Sequence, residues 1–553
     1  MIRYFTACAA AARSTWFWFA LLASLSFAGP LSWARAGITP TGDVSPDNPS
    51  TWTVFTAGYI GNTSSGTLTV DAGSGLLSNN GSIGYGSAAT GVVNVAGTKS
   101  SWNVGELGGS LYVGNSGSGS LAVTNGGGVS GGRYSNGYIG YSPGSIGVVN
   151  VAGSGSTWTV SGGGSGGMFD GINVGHSGSG TLSISNGGSV GGVGTFTDVE
   201  VGYDVGSAGV VNVDGRGSTL TYTGRLQVGN YGSGTLSITN GGTASTNVGS
   251  ADIGYNSGSA GVVTVDGTGS MWTNQISINI GLMGSGTLSI SGGGAATAGY
   301  MNVSNSTSLL AVDVGRGSVI KVGTGTMSNN GTIRILAGAG VAADGTKYSP
   351  ISATTWNGSG TYQAVGGTWS STGHTFTASS ITPGTSGTPV PLELATVQRA
   401  IVDDNGPGGT NWEVGASFVA ATSTMNISFT ATAMDSATLD ILRADLPANE
   451  SILSGWTFAT TNYTVSPTNP IYFSFNVGAG HPANDLDLWH FDGSTWTEYS
   501  PTDLTYDGTY ASFTATGLSG YAMVAVPEPG TLALLAAGLI GLLAYAWRRR
   551  QAT

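Results

Sequence analysis

This chain contains very little cysteine and few charged residues. Its 553 residues include a single cysteine, four histidines and only 8% charged side chains. The one cysteine, Cys8, lies in a leading segment that the sequence predicts to be removed. The rest of the chain would then contain no disulfide, no thiolate nucleophile and no cysteine-ligated zinc. No H-E-x-x-H, G-x-S-x-G or P-loop pattern occurs either, so the common metalloprotease, hydrolase and nucleotide-binding motifs are absent.

Positive charge is especially scarce. The chain has 16 Lys and Arg against 28 Asp and Glu, a net charge of −12. Without residues 1–36 and the residues from 527 onward, 10 positive and 27 negative side chains remain, a net charge of −17. A chain this acidic with no basic patch is a poor partner for nucleic acid, so we expect no nucleic-acid binding.

The amino terminus has the pattern of an export signal. Arg3 and Arg13 precede an apolar stretch over residues 16–27, and Ala34 and Ala36 form a small-x-small site before Gly37. This predicts a secretory signal peptide over residues 1–36, passed by the export machinery and cleaved after Ala36. The alternative is a core helix.

Glycine is abundant, at 97 residues, but without the strict third-residue period of collagen. Alternating β-branched residues between Gly and Asn turns predict an all-β chain. Two short units alternate from about residue 52 to residue 294. One reads G-T-L-x-I-x-N-G-G, as in residues 180–188, and the other reads G-V-V-x-V-x-G, as in residues 147–153, with Trp158 following.

A step of Val or Ile followed by Gly marks the register of these units. The step glycines recur every 23 to 35 residues, which is typical of a solenoid or a propeller; they are Gly61, Gly84, Gly114, Gly140, Gly175, Gly202, Gly229, Gly254 and Gly281. We favour a β-solenoid, because each unit already carries its own strand–turn–strand set. Leu182 and Ile184 would then point inward, with Thr181 and Ser183 outward, and the glycines would occupy corners that need positive φ.

The sequence predicts three further parts after a solenoid over residues 37–345. Residues 346–389 would form a cap or linker. From about Val390 glycine becomes rarer, and alternating segments with a hairpin turn at Asp492-Gly493 predict a β-sandwich over residues 390–525. Residues 436–444 fit a helical turn or a strand. Residues 526–553 form a separate tail.

The tail combines three features at the end of the chain. Pro527-Glu528-Pro529 is followed by an apolar run over residues 532–547 and then by Arg548, Arg549 and Arg550. A helix of that run spans roughly 24 Å, so it predicts a single transmembrane helix with its arginines in the cytoplasm. The alternative is an ordinary membrane anchor.

The tail resembles the PEP-CTERM sorting signal of Gram-negative bacteria. That resemblance implies processing by an exosortase-type membrane protease, transient anchoring in the inner membrane, and release or attachment at the cell surface. It also implies a link to extracellular polysaccharide. The repeats, about half of the chain, resemble the passenger segments of autotransporter-type adhesins, which implies a right-handed parallel β-helix. The outer-membrane barrel of those proteins has no counterpart here.

Because β-helices also carry polysaccharide lyases and glycosidases, the carboxylates need inspection. Asp198, Glu200 and Asp204 are the tightest set, and alternation places Asp198 and Glu200 on one face, as an acid–base pair or as Ca²⁺ ligands. The simpler interpretation, which we favour, is that these carboxylates form a solvated acidic edge. Asp214 and Asp266 share one repeat position, which favours a role in the turn.

Other candidates are weaker. His481 and His490 flank Asp485 and Asp487 in the predicted sandwich and could form a metal site, although packing is the simpler interpretation. The segment 403–406, Asp-Asp-Asn-Gly, fits a Ca²⁺ loop or a plain loop. Three tryptophans recur along the solenoid and would either stack on sugar rings or cover its flank: Trp102, Trp158 and Trp272.

Taken together, the sequence predicts an exported, surface-associated structural or adhesin-like protein. We expect no enzymatic activity, no cofactor and no metal, with a possible ligand in extracellular polysaccharide. The alternative is a β-helix polysaccharide lyase or glycosidase that uses Asp198, Glu200 and Asp204.

Overall fold

The computed structural model describes residues 37–526, except 107, 162–170, 195–196, 247, 324, 339, 405–411, 422–425, 482–484 and 502. The predicted signal peptide with Ala34 and Ala36 lies outside the described residues, as do Pro527 and everything after it. The described chain is almost entirely β, with one α-helix, α1 (Ser436–Asp445), and short 3₁₀ turns at Pro49–Thr51 and Gly315–Gly317. Within these ranges no helix combines the length and apolar character that crossing a membrane requires.

The first part is a β-solenoid of about 11 turns, as predicted. Successive turns add one strand to each of three faces, here called face 1, face 2 and face 3, and nearly all strands within a face pair in parallel. Face 1 contains Gly37–Gly42, Gly66–Asp71, Thr90–Ala96, Ser118–Thr124, Ile146–Ala152, Ser179–Ser185, Ala208–Asp214, Ser233–Thr239, Ala260–Asp266, Ser285–Ser291, Leu309–Asp313, Thr332–Leu336 and Thr361–Val365.

Faces 2 and 3 form one larger sheet, because two long strands, Met271–Ile280 and Ala295–Val303, run through both. The other strands of face 2 are Gly75–Ser78, Ser101–Val104, Gly128–Arg133, Thr157–Ser161, Ser189–Gly192, Thr219–Tyr222, Thr243–Thr246, Val319–Val322 and Ile351–Ser352. Those of face 3 are Val44–Ser45, Ala57–Ile60, Asn80–Ile83, Leu111–Val113, Gly137–Ile139, Gly171–Val174, Asp198–Val201, Leu226–Val228, Ala251–Ile253, Thr326–Asn329 and Thr355–Asn357.

The interior is a ladder of aliphatic side chains. Leu182 and Ile184 are fully buried, which confirms their predicted inward orientation, and Thr181 points outward. Leu182 pairs with a valine in the turn before it and another in the turn after it. Because an aliphatic side chain stacks on another aliphatic side chain at each turn, a single hydrophobic core extends along the whole solenoid.

The corners are made by glycines, again as predicted. All nine step glycines have positive φ, and at Gly175 (φ 68°) an added Cβ would lie 2.2 Å from the carbonyl oxygen of Ala208 in the next turn. Only glycine combines that backbone conformation with so close an approach. Asn125, Asn186 and Asn240 adopt left-handed φ at the turn between faces 1 and 2, a conformation that asparagine tolerates.

Both ends of the solenoid are covered. At the start, Gly37–Gly42 pairs antiparallel with Gly66–Asp71. At the other end the parallel strands continue to Thr361–Val365, about one turn past the predicted boundary at residue 345. Residues 346–389 also contribute Lys347–Tyr348, Gly367–Ser370 and Thr375–Ala378, a small antiparallel sheet whose Phe376 completes the solenoid core.

The second part consists of two six-stranded sheets that enclose one core, which is the arrangement of a β-sandwich. One sheet contains Ile381–Gly384, Arg399–Val402, Val414–Phe418, Ile471–Asn476, Tyr510–Ala515 and Thr505–Tyr506. The other contains Val390–Glu393, Asn426–Ala433, Ser451–Thr461, Gly520–Ala525, Leu486–Phe491 and Trp496–Tyr499. The first of these strands begins at Ile381, nine residues before the predicted start at 390. Asp492-Gly493 forms the predicted hairpin.

Helix α1 resolves the ambiguity over residues 436–444. Asp435 precedes the helix in extended conformation, and its carboxylate accepts a hydrogen bond from the Thr438 backbone N–H at 2.8 Å. This is a side-chain cap of the kind that starts helices. The helix therefore begins where the sequence provides a capping aspartate.

The sandwich packs against the last turns of the solenoid through named contacts. The Ser417 hydroxyl donates to the Ala337 carbonyl at 2.7 Å, and the Gly366 N–H donates to the Phe418 carbonyl at 2.9 Å. Val365 and Val419 form a β-bridge. The sandwich thus covers the final strand of face 1, which would otherwise expose an unpaired edge.

Candidate functional site

Two of the predicted carboxylates lie side by side on face 3. Asp198 and Glu200 belong to the strand Asp198–Val201, whose Val199 and Val201 are fully buried in the core. Because side chains alternate along a strand, both carboxylates project from the outer surface, as the alternation predicts. Only Asp198 is substantially accessible, since Glu200 is 2% exposed.

Glu200 is the most perturbed acid of this group. Burial, followed by the nearby charge of Asp198, raises its pKa to about 8. Its Oε2 is buried, and the described residues offer it no hydrogen-bond partner. A carboxyl group in this position is mostly protonated at neutral pH, because the cost of burying its charge outweighs the hydrogen bond it gains.

The other two carboxylates are engaged locally. Asp198 Oδ1 accepts a hydrogen bond from the Arg225 backbone N–H at 2.6 Å. Asp204 Oδ2 accepts a hydrogen bond from the Ser177 hydroxyl and lies 3.8 Å from His176 Nδ1. None of the three carboxylates lines either of the two cavities at the junction of solenoid and sandwich.

Glu200 belongs to a longer row that follows the solenoid axis. The residue two positions before each step glycine points outward on face 3, and its neighbours in adjacent turns are directly in register. We call the polar part of this line, together with Asn302 of the next turn, the face 3 row; it consists of Asn173, Glu200, Gln227, Asp252, Asn279 and Asn302.

Hydrogen bonds run between neighbouring turns within this row. Asn302 Nδ2 donates to Asn279 Oδ1 at 2.6 Å, and Asn279 Nδ2 donates to Asp252 Oδ1 at 2.7 Å. Gln227 Oε1 accepts a hydrogen bond from Asn230 Nδ2, and Asn230 directly follows the step glycine Gly229. Our sequence reasoning missed this ladder, although the recurring polar residue two positions before Gly175, Gly202 and the later step glycines was the signal for it.

An aromatic ridge flanks the same line. The rings of Tyr141 and His176 have centroids 4.9 Å apart, and those of His176 and Tyr203 are 4.8 Å apart. Tyr112 and Tyr138, which precede the face 3 row, stack at 5.1 Å. Burial, the largest effect, lowers the pKa of His176, which favours the neutral ring among these neighbours.

The three recurring tryptophans pack inside the solenoid. Trp102, Trp158 and Trp272 are at most 1% exposed, so the hypothesis that they stack on sugars is wrong for all three. Trp102 Nε1 donates to the Ser78 hydroxyl at 3.0 Å. A Cβ on Gly81 would lie 2.5 Å from the Trp102 ring, so the glycine opposite it provides the space for the indole.

Asp214 and Asp266 end their face 1 strands and accept hydrogen bonds from the next coil of the solenoid. Asp214 Oδ1 accepts hydrogen bonds from Thr239 Oγ1 at 2.6 Å and from Asn240 Nδ2 at 2.7 Å, both in the next turn. Asp266 Oδ1 accepts from Ser291 Oγ at 2.6 Å in the same way. These aspartates therefore join neighbouring turns.

The weaker candidates gain no support. Across the described ranges no group of three or more His, Cys, Asp or Glu side chains could hold a metal ion. The His490 ring lies edge-on to Tyr521, with centroids 5.2 Å apart, which is a packing contact. Asn405 and Gly406 of the proposed Ca²⁺ loop lie outside the described residues.

The decisive likeness to known proteins is at the carboxyl end. Residues 525–550 match the family model of the PEP-CTERM protein-sorting motif, and the match includes Pro527, Glu528, Pro529, Arg548, Arg549 and Arg550. The chain carries a PEP-CTERM sorting motif. The PEP-CTERM motif marks an exported protein that is sorted to the cell surface or membrane, and such motifs are generally processed by an exosortase, a membrane protease. No curated protein and no solved structure matches the chain.

Proposed function

We propose that this PEP-CTERM protein is a surface-displayed, adhesin-like rod that binds extracellular polysaccharide without catalysis. The observation that carries the proposal is the end of the face 3 row, where Asn279 and Asn302 are half-buried and present outward amides at the same position of successive turns. The other members of the row are at most 5% exposed. Parallel strands are about 4.8 Å apart, so the row repeats over a distance comparable to one sugar unit of an extended chain. A repeating polymer would meet the accessible amides of Asn279 and Asn302 at this spacing.

Export and anchoring belong to the same proposal. Residues 1–36 would be removed after Ala36, and the mature chain would begin at Gly37, the first residue of the strand that covers the solenoid's first edge. Residues 532–547 would hold the protein in the inner membrane until an exosortase-type protease cuts near Pro527. The rod would then be released or attached outside the cell.

One observation favours the alternative, a polysaccharide lyase or glycosidase. Glu200 has the raised pKa of a general acid, at about 8, beside Asp198. A general acid must also reach its substrate, and Glu200 is nearly inaccessible while Asp198 is bonded to the Arg225 backbone. Burial within a ladder accounts for the pKa of Glu200 without any substrate, so we retain the non-catalytic proposal.

Co-sedimentation of the purified exported chain with insoluble neutral and acidic polysaccharides tests the binding. Replacing Asn279 and Asn302 by Ala should weaken binding several-fold, since it removes two adjacent rungs of the face 3 row. The matched control replaces Asn150 and Asn212, outward asparagines of face 1, by Ala. Equal loss in both double variants would argue against the row as the binding surface.

A second assay separates binding from catalysis. The protein is incubated with the same polysaccharides, and the release of reducing ends and of unsaturated sugars is measured. We expect neither product. Turnover that disappears in Asp198→Asn or Glu200→Gln would replace the proposal with the enzymatic alternative.

A further inference from the structure

A cavity of 350 Å³ lies where the last turns of the solenoid meet the sandwich. We call it the junction pocket; its lining includes Arg316, Gly340, Trp412, Ser474, Asp507 and Tyr510. Cavities between packed domains that combine apolar walls with a few polar groups are the usual places for small ligands, and this one has the volume of a small ligand site. It is separate from the face 3 row, which runs along another surface of the rod.

An aromatic pair forms one wall of the junction pocket. Trp412 and Tyr510 stack with ring centroids 3.9 Å apart and an interplanar angle of 12°. The Trp412 carbonyl accepts a hydrogen bond from Asn476 Nδ2 at 3.2 Å, which fixes the backbone beneath the ring. Trp412 is 6% and Tyr510 8% exposed, so the pair offers a small, rigid apolar contact to the C–H groups of a sugar, and it loses little side-chain freedom on binding.

Glycines keep the opposite wall open. A Cβ built on Gly340 would point toward the Trp412 ring and lie 4.0 Å from its nearest atom, and one built on Gly317 would meet no atom within 4 Å. Gly340 does not have positive φ, so its backbone tolerates other residues. A side chain larger than a methyl group at position 340 would therefore occupy space beside the Trp412 ring.

Polar groups converge on the same space. Ser512 Oγ donates to Ser474 Oγ at 2.8 Å, and both hydroxyls line the cavity. Asp507 Oδ1 is fixed by the backbone N–H groups of Thr509 and Tyr510, at 3.0 and 2.8 Å. Arg316 has left-handed φ, and its Nη2 is close enough to Gly508 that a Cβ there would be only 2.8 Å away.

The charges of the lining select among sugars. Among the lining residues that the structure describes, Arg316 is the one cation, and Asp313 and Asp507 are the two carboxylates. An anionic sugar would meet this acidic surround unfavourably, whereas the hydroxyls of a neutral sugar can both donate to carboxylates and accept from the guanidinium. The balance therefore favours an uncharged polyhydroxyl ligand.

We propose that the junction pocket binds a neutral saccharide unit, with the sugar's C–H face on the Trp412–Tyr510 pair and its hydroxyls toward Ser474, Asp507 and Arg316. This inference rests on the proposed polysaccharide binding and adds to it a site for a chain end or a branch. Asn279 and Asn302 of the face 3 row would contact the polymer, while the junction pocket would hold a single terminal unit.

The test uses the purified exported chain and titration calorimetry with the methyl glycosides of glucose, galactose and mannose. Methyl glucuronide is the charged comparison. At least one neutral glycoside should bind, and Gly340→Leu should lower its affinity at least tenfold, because the new side chain occupies the space in front of Trp412. The control is Gly517→Leu at an exposed sandwich glycine whose added Cβ meets no atom within 4 Å.

A second variant keeps the test decisive if Gly340→Leu does not fold. Ala342 also lines the junction pocket and is exposed, so Ala342→Phe should narrow the entrance and lower affinity without affecting the melting temperature. Unchanged binding in Ala342→Phe and in folded Gly340→Leu would overturn the inference. Tighter binding of methyl glucuronide than of every neutral glycoside would overturn it too.

The two proposals fail in distinguishable ways. If polysaccharides sediment with the protein but no methyl glycoside binds, the junction pocket is refuted and the role of the face 3 row remains. If neither polysaccharide nor glycoside binds, both proposals are refuted.

Discussion

The Tyr472 hydroxyl of the sandwich donates a hydrogen bond to Asp313 Oδ2 of the solenoid at 2.9 Å, although 159 residues separate the two in sequence. The other oxygen of Asp313 accepts from the Gly315 N–H at 2.7 Å. Tyr472 also packs with Ala311, Leu336 and Val365 in a small apolar cluster. A fully satisfied carboxylate at the centre of the junction fixes how the two parts meet.

Asp313 should make the junction sensitive to pH. Burial is the main cause that raises its pKa from 3.8 to about 6. An acid whose pKa is raised in the folded state favours folding less as it ionises, so its contribution falls between about pH 4 and 6 and stays constant above that range. The cost at neutral pH is at most about 3 kcal/mol.

Asp313→Asn should therefore raise the melting temperature at pH 8 but not at pH 3.5. Asn retains an acceptor for the Gly315 N–H, and Tyr472 can turn its hydroxyl toward Thr505, whose Oγ1 is 3.2 Å away. Calorimetric scans at the two pH values measure this, with Asp47→Asn at an exposed site as the control. An equal change at both pH values would show that the charge is not the cause.

Glu200 should have a similar effect over a higher range of pH. Its pKa is about 8, against 4.5 for an ordinary glutamate, so the protein should lose stability from about pH 4.5 to pH 8 as this group ionises. Glu200→Gln should remove that dependence and be more stable than the wild type above pH 8. Denaturant unfolding at pH 4 and pH 9 measures the difference, with the exposed Glu106→Gln as control. A variant less stable than the wild type at pH 9 would contradict the assignment.

The repeated parts of this fold could be predicted residue by residue, whereas the unrepeated sandwich could be predicted as a class but not in its exact bounds. Leu182, Ile184 and the step glycines recur at fixed positions, and a side chain that recurs once per turn has one consistent environment. The last turns lack the G-T-L and G-V-V signatures, so the strand Thr361–Val365 was missed and the boundary was placed at residue 345.

Site properties depended on neighbours that spacing does not reveal. Alternation predicted the outward direction of Glu200 but not its burial between the adjacent turns, where Asn173 and Gln227 are its in-register neighbours. The choice between packing and sugar stacking for Trp102 depended on the space left by Gly81. The Asp313–Tyr472 contact joins two parts of the chain with no shared pattern.

Leu182 tests the contribution of the aliphatic ladder. Leu182→Ala removes a fully buried side chain between two valines of the adjacent turns and should cost about 2–5 kcal/mol. Thr181→Ala, one position away and pointing outward, should change the unfolding free energy by less than about 0.5 kcal/mol. Urea unfolding measures both. Similar losses would indicate that the turn, and not the core, carries the stability.

The strand Gly37–Gly42 should keep the rod from associating end to end. It pairs antiparallel with Gly66–Asp71 and carries Pro40, which cannot donate a backbone hydrogen bond. Removing residues 37–42 from the exported chain exposes the edge of Gly66–Asp71, a strand of alternating buried residues, to a second molecule. Sedimentation velocity should then show dimers or longer species that grow with concentration.

A charge on the exposed strand provides the matched control for this deletion. Thr67 and Thr69 point outward, so Thr67→Lys together with Thr69→Lys adds repulsion along the strand without disturbing Leu68 in the core. In the truncated protein this pair should restore the monomer, because like charges oppose pairing of two identical edges. If the truncated chain stays monomeric without the lysines, the strand Gly37–Gly42 is not what prevents association. If the lysines fail to restore the monomer, association occurs through another surface of the rod.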